Sequence, residues 1–249
     1  MVHILRIVGA RWSMTLSILA LLLVAIAPSD FAYGQTRTLV YGTELEKQTM
    51  TLFVQGDTSM MAWESEAAAS KETKQTNTIG LGGWVGESRN VGIIMSSSDT
   101  TIPFSLNDSS LRVAQRDIKM KSRIGFIYPT VAATLTEVNV KKAGVTTTDL
   151  YATGYGAGIE GQVPLHRMVM VNAEVLGYRL PSSYDKTGQE VALGNRIEGD
   201  ANLNFAVTDR AVDLLVGYKY KEWSLEVNDE VSNERAQGAY MGLRLGLYF

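Results

Sequence analysis

The last eleven residues, from Ala239 to Phe249, alternate without a break. Ala239, Met241, Leu243, Leu245, Leu247 and Phe249 fall on one side, and Tyr240, Gly242, Arg244, Gly246 and Tyr248 on the other. A period of two places successive side chains on opposite faces of a strand. Six apolar positions in a row, ending on an aromatic, suit a strand whose one face meets oil along its whole length.

The other end of the sequence carries a different signal. Arg6 and Arg11 precede a 12-residue apolar run, Leu16 to Ala27, and Ala32-Tyr33-Gly34 puts small residues at both positions that a cleavage site needs. Twelve apolar residues fall short of the roughly 20 that a spanning helix requires. The segment 1–34 therefore reads as a secretory signal cut before Gln35, with an uncleaved anchor as the alternative. No Cys is present, so the sequence holds neither a disulfide nor a lipid-attachment cysteine.

With this export segment and this ending, the chain resembles a small Gram-negative outer-membrane β-barrel. The resemblance implies an all-β, transmembrane, antiparallel up-and-down barrel. It also implies that Leu243, Leu245, Leu247 and the closing Phe249 form the signal read by the barrel-assembly machinery, with periplasmic chaperones as earlier partners. Outer-membrane lipid and lipopolysaccharide would surround the finished barrel.

Composition agrees with a barrel and excludes other classes. Cutting at Gly34 leaves 215 residues with 21 basic and 25 acidic side chains, so no basic excess points to nucleic acid. Beyond the signal no apolar run reaches 18 residues, yet a strand needs only about 9–11 to cross. Residues 35–249 thus form one domain.

Short turns at 87–89, 128–130, 164–167 and 208–210 alternate with longer polar stretches at 64–75, 97–109, 141–148, 181–190 and 223–236. Short turns on one side and long loops on the other are the organisation of transmembrane barrels. Four turns and five loops predict ten strands: 48–62, 76–86, 90–96, 110–127, 131–140, 149–163, 168–180, 191–207, 211–222 and 237–249. The first third also admits an eight-stranded count.

Faces are clearest in the second half. Ile197, Gly199, Ala201, Leu203, Phe205 and Val207 oppose Arg196, Glu198, Asp200, Asn202 and Asn204. Val212, Leu214, Val216, Tyr218 and Tyr220 oppose Asp213, Leu215, Gly217, Lys219 and Lys221. Periodicity alone cannot tell oil inside from oil outside. The export signal, the apolar aromatic terminus and the mid-strand charges on the second face tip it together, since lipid against a central Lys or Arg costs about 2–4 kcal/mol. Tyr128, Tyr151, Tyr178, Tyr218, Tyr220, Tyr248 and Phe249 lie near strand ends and suit an interfacial girdle. Gly154, Gly156 and Gly158 would let neighbouring strands and long side chains pack closely.

Chemistry is thinly represented. Barrel enzymes known to resemble this chain's class use His with Ser or Asp near the outer rim. Only His166 remains after the signal, and it falls in a predicted turn at the wrong end. No catalytic residue, cofactor or metal site is expected, and the chain reads as non-enzymatic. The one constellation is ionic: Lys119, Lys121 and Arg123 on the fourth strand, Glu160 and Glu174 on the sixth and seventh, Glu198 and Asp200 on the eighth. Strands four and eight face each other across a ten-stranded barrel, so these groups are expected to meet in a narrow lumen. They would either fill a closed scaffold with a surface-interaction role or form a selective constriction in a narrow passive channel. An outer-membrane hydrolase and a soluble exported lipid-binding barrel are the more distant readings.

Overall fold

The computed structural model describes residues 50–65, 70–85, 90–104, 109–142, 145–166, 168–185, 191–207, 212–227 and 230–248. The expected signal segment, its cleavage point and Phe249 lie outside them. Ten strands run in chain order: β1 (Met50–Ser65), β2 (Ser70–Val85), β3 (Val91–Phe104), β4 (Ser109–Ser122), β5 (Ile127–Lys142), β6 (Val145–His166), β7 (Val169–Asp185), β8 (Val191–Ala206), β9 (Val212–Val227) and β10 (Glu230–Tyr248). Each pairs antiparallel with its sequence neighbours, and β1 pairs with β10 from Thr51↔Tyr248 to Ser65↔Glu234, closing the barrel. The eight-stranded alternative falls away. Closure removes both sheet edges along the base, while towards the crown the β2–β3 ladder ends at Asn77↔Asp99 and the β7–β8 ladder at Arg179↔Asn195.

The end of the barrel where β1 starts and β10 stops is termed the base, and the opposite end the crown. Oil lies outside at the base. Ile79 is 67% exposed, and Leu81, Ile93, Ile118, Val131, Leu243 and Leu245 are exposed on the same outer surface. The charged partners of these residues point inward, so the fold is a barrel of the transmembrane kind. On β7 the outward apolar band covers the nine residues from Val169 to Gly177, enough for one crossing.

Two expectations about connections are corrected. The turn placed at 128–130 lies instead at 123–126, where Ile124 and Ile127 exchange backbone hydrogen bonds of 2.8 and 3.1 Å. Gly125 sits there at φ +67°, a conformation that side chains rarely adopt, so glycine outweighs Pro129 as the turn signal. Pro129 instead lies within β5. Likewise Pro164 to His166 belong to β6. The second correction is larger: the five polar stretches expected to be long loops are mostly strand. β1 and β2 pair out to Ser65↔Ser70, and β3 and β4 to Phe104↔Ser109. β9 and β10 pair out to Val227↔Glu230.

The reason is an inversion of polarity along the strands. Towards the base, Leu52 and Val54 of β1 are exposed while Asp57 is buried; towards the crown, Met61 and Trp63 are buried while Glu64 is exposed. β4 does the same, with Met120 and Ile118 outside below, Arg116 and Arg112 outside above, and Val113 inside. β7 passes from outward Val175 to outward Arg179 and inward Leu180. Above the apolar band the barrel is surrounded by water, so its outside becomes charged and much of its inside oily, with Glu234 and the hydroxyls of Ser59, Thr76 and Thr100 as buried polar exceptions. An alternation that changes phase looks like no alternation at all, so in the sequence it reads as loop.

The girdle is also corrected in part. Tyr128 and Tyr178 are buried in the lumen, whereas Tyr155 and Tyr218 face outward. Tyr178 lies against Gly156 on β6, where a Cβ would come 2.6 Å from its ring. The aromatic ring thus covers the bare backbone across the strand pair. This bears on why β6 carries glycine on its inner face.

Candidate functional site

The candidate site is the lumen, and it is layered. At the crown, Met61, Trp63, Val113, Val138, Leu150, Ala152, Leu180, Trp223 and Ala236, from seven strands, converge on one apolar cluster. Leu150 and Ala152 are fully buried, and the Trp63 and Trp223 rings meet edge to face at 5.3 Å. On the β1–β3 side small hydroxyls fill the wall: Ser59 Oγ donates to the Thr76 carbonyl at 3.1 Å, and Thr100 Oγ1 donates to Thr76 Oγ1 at 2.9 Å. At the base, Phe53, Trp84 and Tyr128 form a smaller aromatic cluster with Ile94, the Trp84 and Tyr128 rings 5.4 Å apart.

Between these layers lies the charge network. Lys119 Nζ stands 2.6 Å from Glu174, and Lys121 bridges Glu174 at 2.6 Å and Glu160. These four residues sit on β4, β6 and β7, so the two lysines meet the near carboxylates rather than those of β8. Arg123 does not join them: it lies beyond the end of β4, and its Nε donates to the Gly125 carbonyl at 2.9 Å. Glu198 instead takes Arg196 at 3.3 Å, Lys221 at 3.5 Å and the Gln115 amide at 2.7 Å. Asp200 accepts from the Tyr240 hydroxyl and the Asn202 amide, both at 2.9 Å.

The strands expected to face each other across the lumen do meet, with the charges reversed. The acid comes from β4 and the base from β8: Arg196 Nη2 lies 2.9 Å from Asp117. The same guanidinium donates to Thr134 and Thr136 at 3.1 Å each and lies over the Tyr178 ring at 3.9 Å. A further pair joins Lys219 of β9 to Asp57 of β1, past the intervening β10, at 2.5 Å, with Tyr240 beneath the ammonium at 4.3 Å. Arg196, Asp117, Asp57 and Lys219 were missed as network members. The inner-face alternation of β8 and β9 already aligned Arg196 and Lys219 with the lumen. Only the closed barrel shows which partner each one reaches.

What remains open among these charges is a cavity of about 160 Å³. Such a space holds a few waters between polar walls. His166 is exposed at the base end of β6, where its Nδ1 accepts the Met168 backbone N–H at 3.3 Å, a turn contact far from this network. Among the described residues no group of three or more His, Cys, Asp and Glu is placed to hold a metal. Leu243 and Leu245, expected from the resemblance to belong to an assembly signal, lie on the exposed outer face of β10, next to β1. Leu247 pairs with Leu52 at the base end of that seam.

No protein-family model matches the chain, and no curated protein matches it in sequence. Several solved structures share the general form. Neisserial surface protein A is 16% identical, over 78% of this chain and 96% of that one, with a TM-score of 0.42. The translocator domain of the autotransporter NalP from Neisseria meningitidis is 10% identical, over 94% and 97%, with a TM-score of 0.48. The CymD monoaromatic hydrocarbon channel is 9% identical, over 91% and 92%, with a TM-score of 0.41.

Proposed function

We propose that this protein is an integral barrel of the bacterial outer membrane, exported by a cleaved signal and acting as a non-enzymatic scaffold or surface-interaction protein. The base would face the periplasm and the crown the outside. The observation that carries the scaffold reading is the crown cluster, which brings apolar side chains of seven strands together across the lumen. Ions cross an apolar constriction only if water wets it. Below it, Lys119, Lys121 and Arg196 are each held by carboxylates at close range. These charges lie opposite one another around a small polar cavity, so on this reading the apolar crown is the barrier. The crown carries its own oily cluster above the membrane on this reading. Lipopolysaccharide and lipid are the surrounding partners on this reading, and the barrel-assembly machinery and periplasmic chaperones act during biogenesis.

Planar-bilayer recording of the purified folded protein tests it. The parent should give no unitary steps, whereas Trp63→Ala with Trp223→Ala should give steps by opening the crown cluster. Regular steps from the parent would move the function to the narrow passive channel.

A further inference from the structure

We propose that the outer surface of β6–β8 binds one phosphate-bearing, acylated lipid of the outer leaflet, with an acyl chain in a groove floored by Ala157 and Gly177 and a phosphate on Arg179. This rests on the outer-membrane reading above. The groove measures about 680 Å³, within the roughly 300–1,000 Å³ usual for small-molecule sites. Val131 and Ile197, 55% and 45% exposed, form its walls. Strand pairing sets the floor: Ala157 lies opposite Gly177, and Gly177 opposite Ile197.

Gly177 is not demanded by the barrel's own packing. A Cβ there would meet nothing within 4 Å, unlike Gly156 on the same strand pair. The missing side chain leaves room on the membrane side.

The charge above the groove says what fills it. Arg179 is the next outward residue of β7, paired across the strands with Tyr155 and Asn195. It stands at the top of the nine-residue apolar band, the level at which lipid headgroups lie. Other outward arginines of the crown are matched to acids: Arg112 to Asp99, Arg116 to Glu137 and Arg235 to Glu222. Arg179 has no carboxylate partner among the described residues. An unmatched guanidinium at headgroup level over an apolar groove fits a phosphate joined to acyl chains, since its fork binds phosphate oxygens in pairs.

The test is native mass spectrometry of the folded protein released from detergent, titrated with hexa-acylated bisphosphoryl lipid A and with its dephosphorylated form. The parent should retain one bisphosphoryl lipid per barrel. Arg179→Gln should weaken that retention about tenfold, the size of a lost charged hydrogen bond, and Arg179→Lys should restore part of it. Gly177→Leu, which fills the groove, should weaken both lipid forms. Identical titrations for the parent and Arg179→Gln would overturn the proposal, even if Gly177→Leu fails to fold. So would a two-barrel mass that Gly177→Leu dissolves, because a second copy would then cover the groove. Insertion of the parent into phospholipid vesicles is measured alongside. Failure to insert would overturn the outer-membrane reading itself, whereas insertion with unaltered lipid titrations would overturn only the groove.

Discussion

Replacing Arg196 by Met is the sharpest probe of the lumen. The side chain is 3% exposed and holds two carboxylates, Asp117 at 2.9 Å and Glu198 at 3.3 Å. It also supplies donors to Thr134 and Thr136. Methionine keeps much of the length and removes every donor. Asp117 then loses its only cation within ion-pair distance among the described residues, while Glu198 keeps Lys221 at 3.5 Å. Breaking a buried pair by removing one partner costs about 3–5 kcal/mol. The small wet cavity nearby returns some of that, so the lower end is expected. With a urea slope of about 2 kcal/mol/M, that is a midpoint lowered by about 1.5 M. The assay is urea unfolding in lipid vesicles, followed by tryptophan fluorescence and by heat-modifiable migration. Arg112→Met is the control: its bridge to Asp99 is about half exposed on the outside, and such pairs contribute about 0–1 kcal/mol. Adding Asp117→Asn to Arg196→Met should recover a large part of the loss, because no unpaired carboxylate is then left behind. An Arg196→Met barrel that unfolds within 0.5 M of the Arg112→Met control would refute the account of a desolvated, mutually neutralised lumen (about 1 kcal/mol at the same slope).

Glu198→Gln and Asp200→Asn should separate in the same assay: the first strips a carboxylate from Arg196 and Lys221 and should destabilise, while the second keeps most of its bonds to Tyr240 and Asn202 and should change the midpoint little. Deleting Phe249, or replacing it with Asp, should sharply lower the yield of heat-modifiable barrel in cells while export across the inner membrane continues, as read by fractionation and gel migration. Intact-mass measurement of the membrane-extracted protein should give a chain beginning at Gln35; a mass that retains residues 1–34 would mean that the apolar segment stays as an anchor.

Most of the barrel's base was legible in the sequence, because one physical rule holds there for every strand. Lipid outside demands an apolar residue at each second position, and β8, β9 and β10 obey it over nine or more residues. The strand count and the inward direction of Lys119, Lys121, Glu160, Glu174, Glu198 and Asp200 follow from that rule. Partner choice does not follow. Lys121 and Glu160 are 39 residues apart, and Arg196 and Asp117 are 79 apart. Which of several inward acids each base reaches depends on strand tilt and register, and alternation carries neither. The turn at Gly125 is masked for a local reason: Pro129 is the louder breaker, yet it lies just past the end of the β4–β5 ladder at Lys121↔Thr130, where its missing N–H breaks no paired row.

The crown was illegible for a reason that is itself informative. Alternation tells a reader that two faces differ, and the solvent on each side decides which face is which. Along β9 the outward residues run Val216, Tyr218, Tyr220 and then Glu222, while the inward ones run Leu215, Gly217, Lys219, Lys221 and then Trp223. Nothing in the backbone changes between Lys221 and Trp223, and the ladder to β10 continues without a shift. What changes is the surrounding medium. Below the crossover, carboxylates and ammoniums have no water outside and must pair within the lumen; above it, water takes the charges and the lumen is free to be dry. On the proposed membrane reading, the level at which the phase flips is one edge of the hydrocarbon: Glu64, Arg116, Arg179, Glu222 and Arg235 all stand on the exterior at or above it. One strand therefore carries two opposite folding codes in series, a membrane code and a water code, joined where Trp63 and Trp223 meet over the charged layer. A sequence scan that scores each strand for a single phase cuts the strand at that point, whereas one that allows a single phase reversal per strand would carry β1, β4, β7 and β9 towards their crown ends; β10 keeps a buried carboxylate, Glu234, on its inner face there.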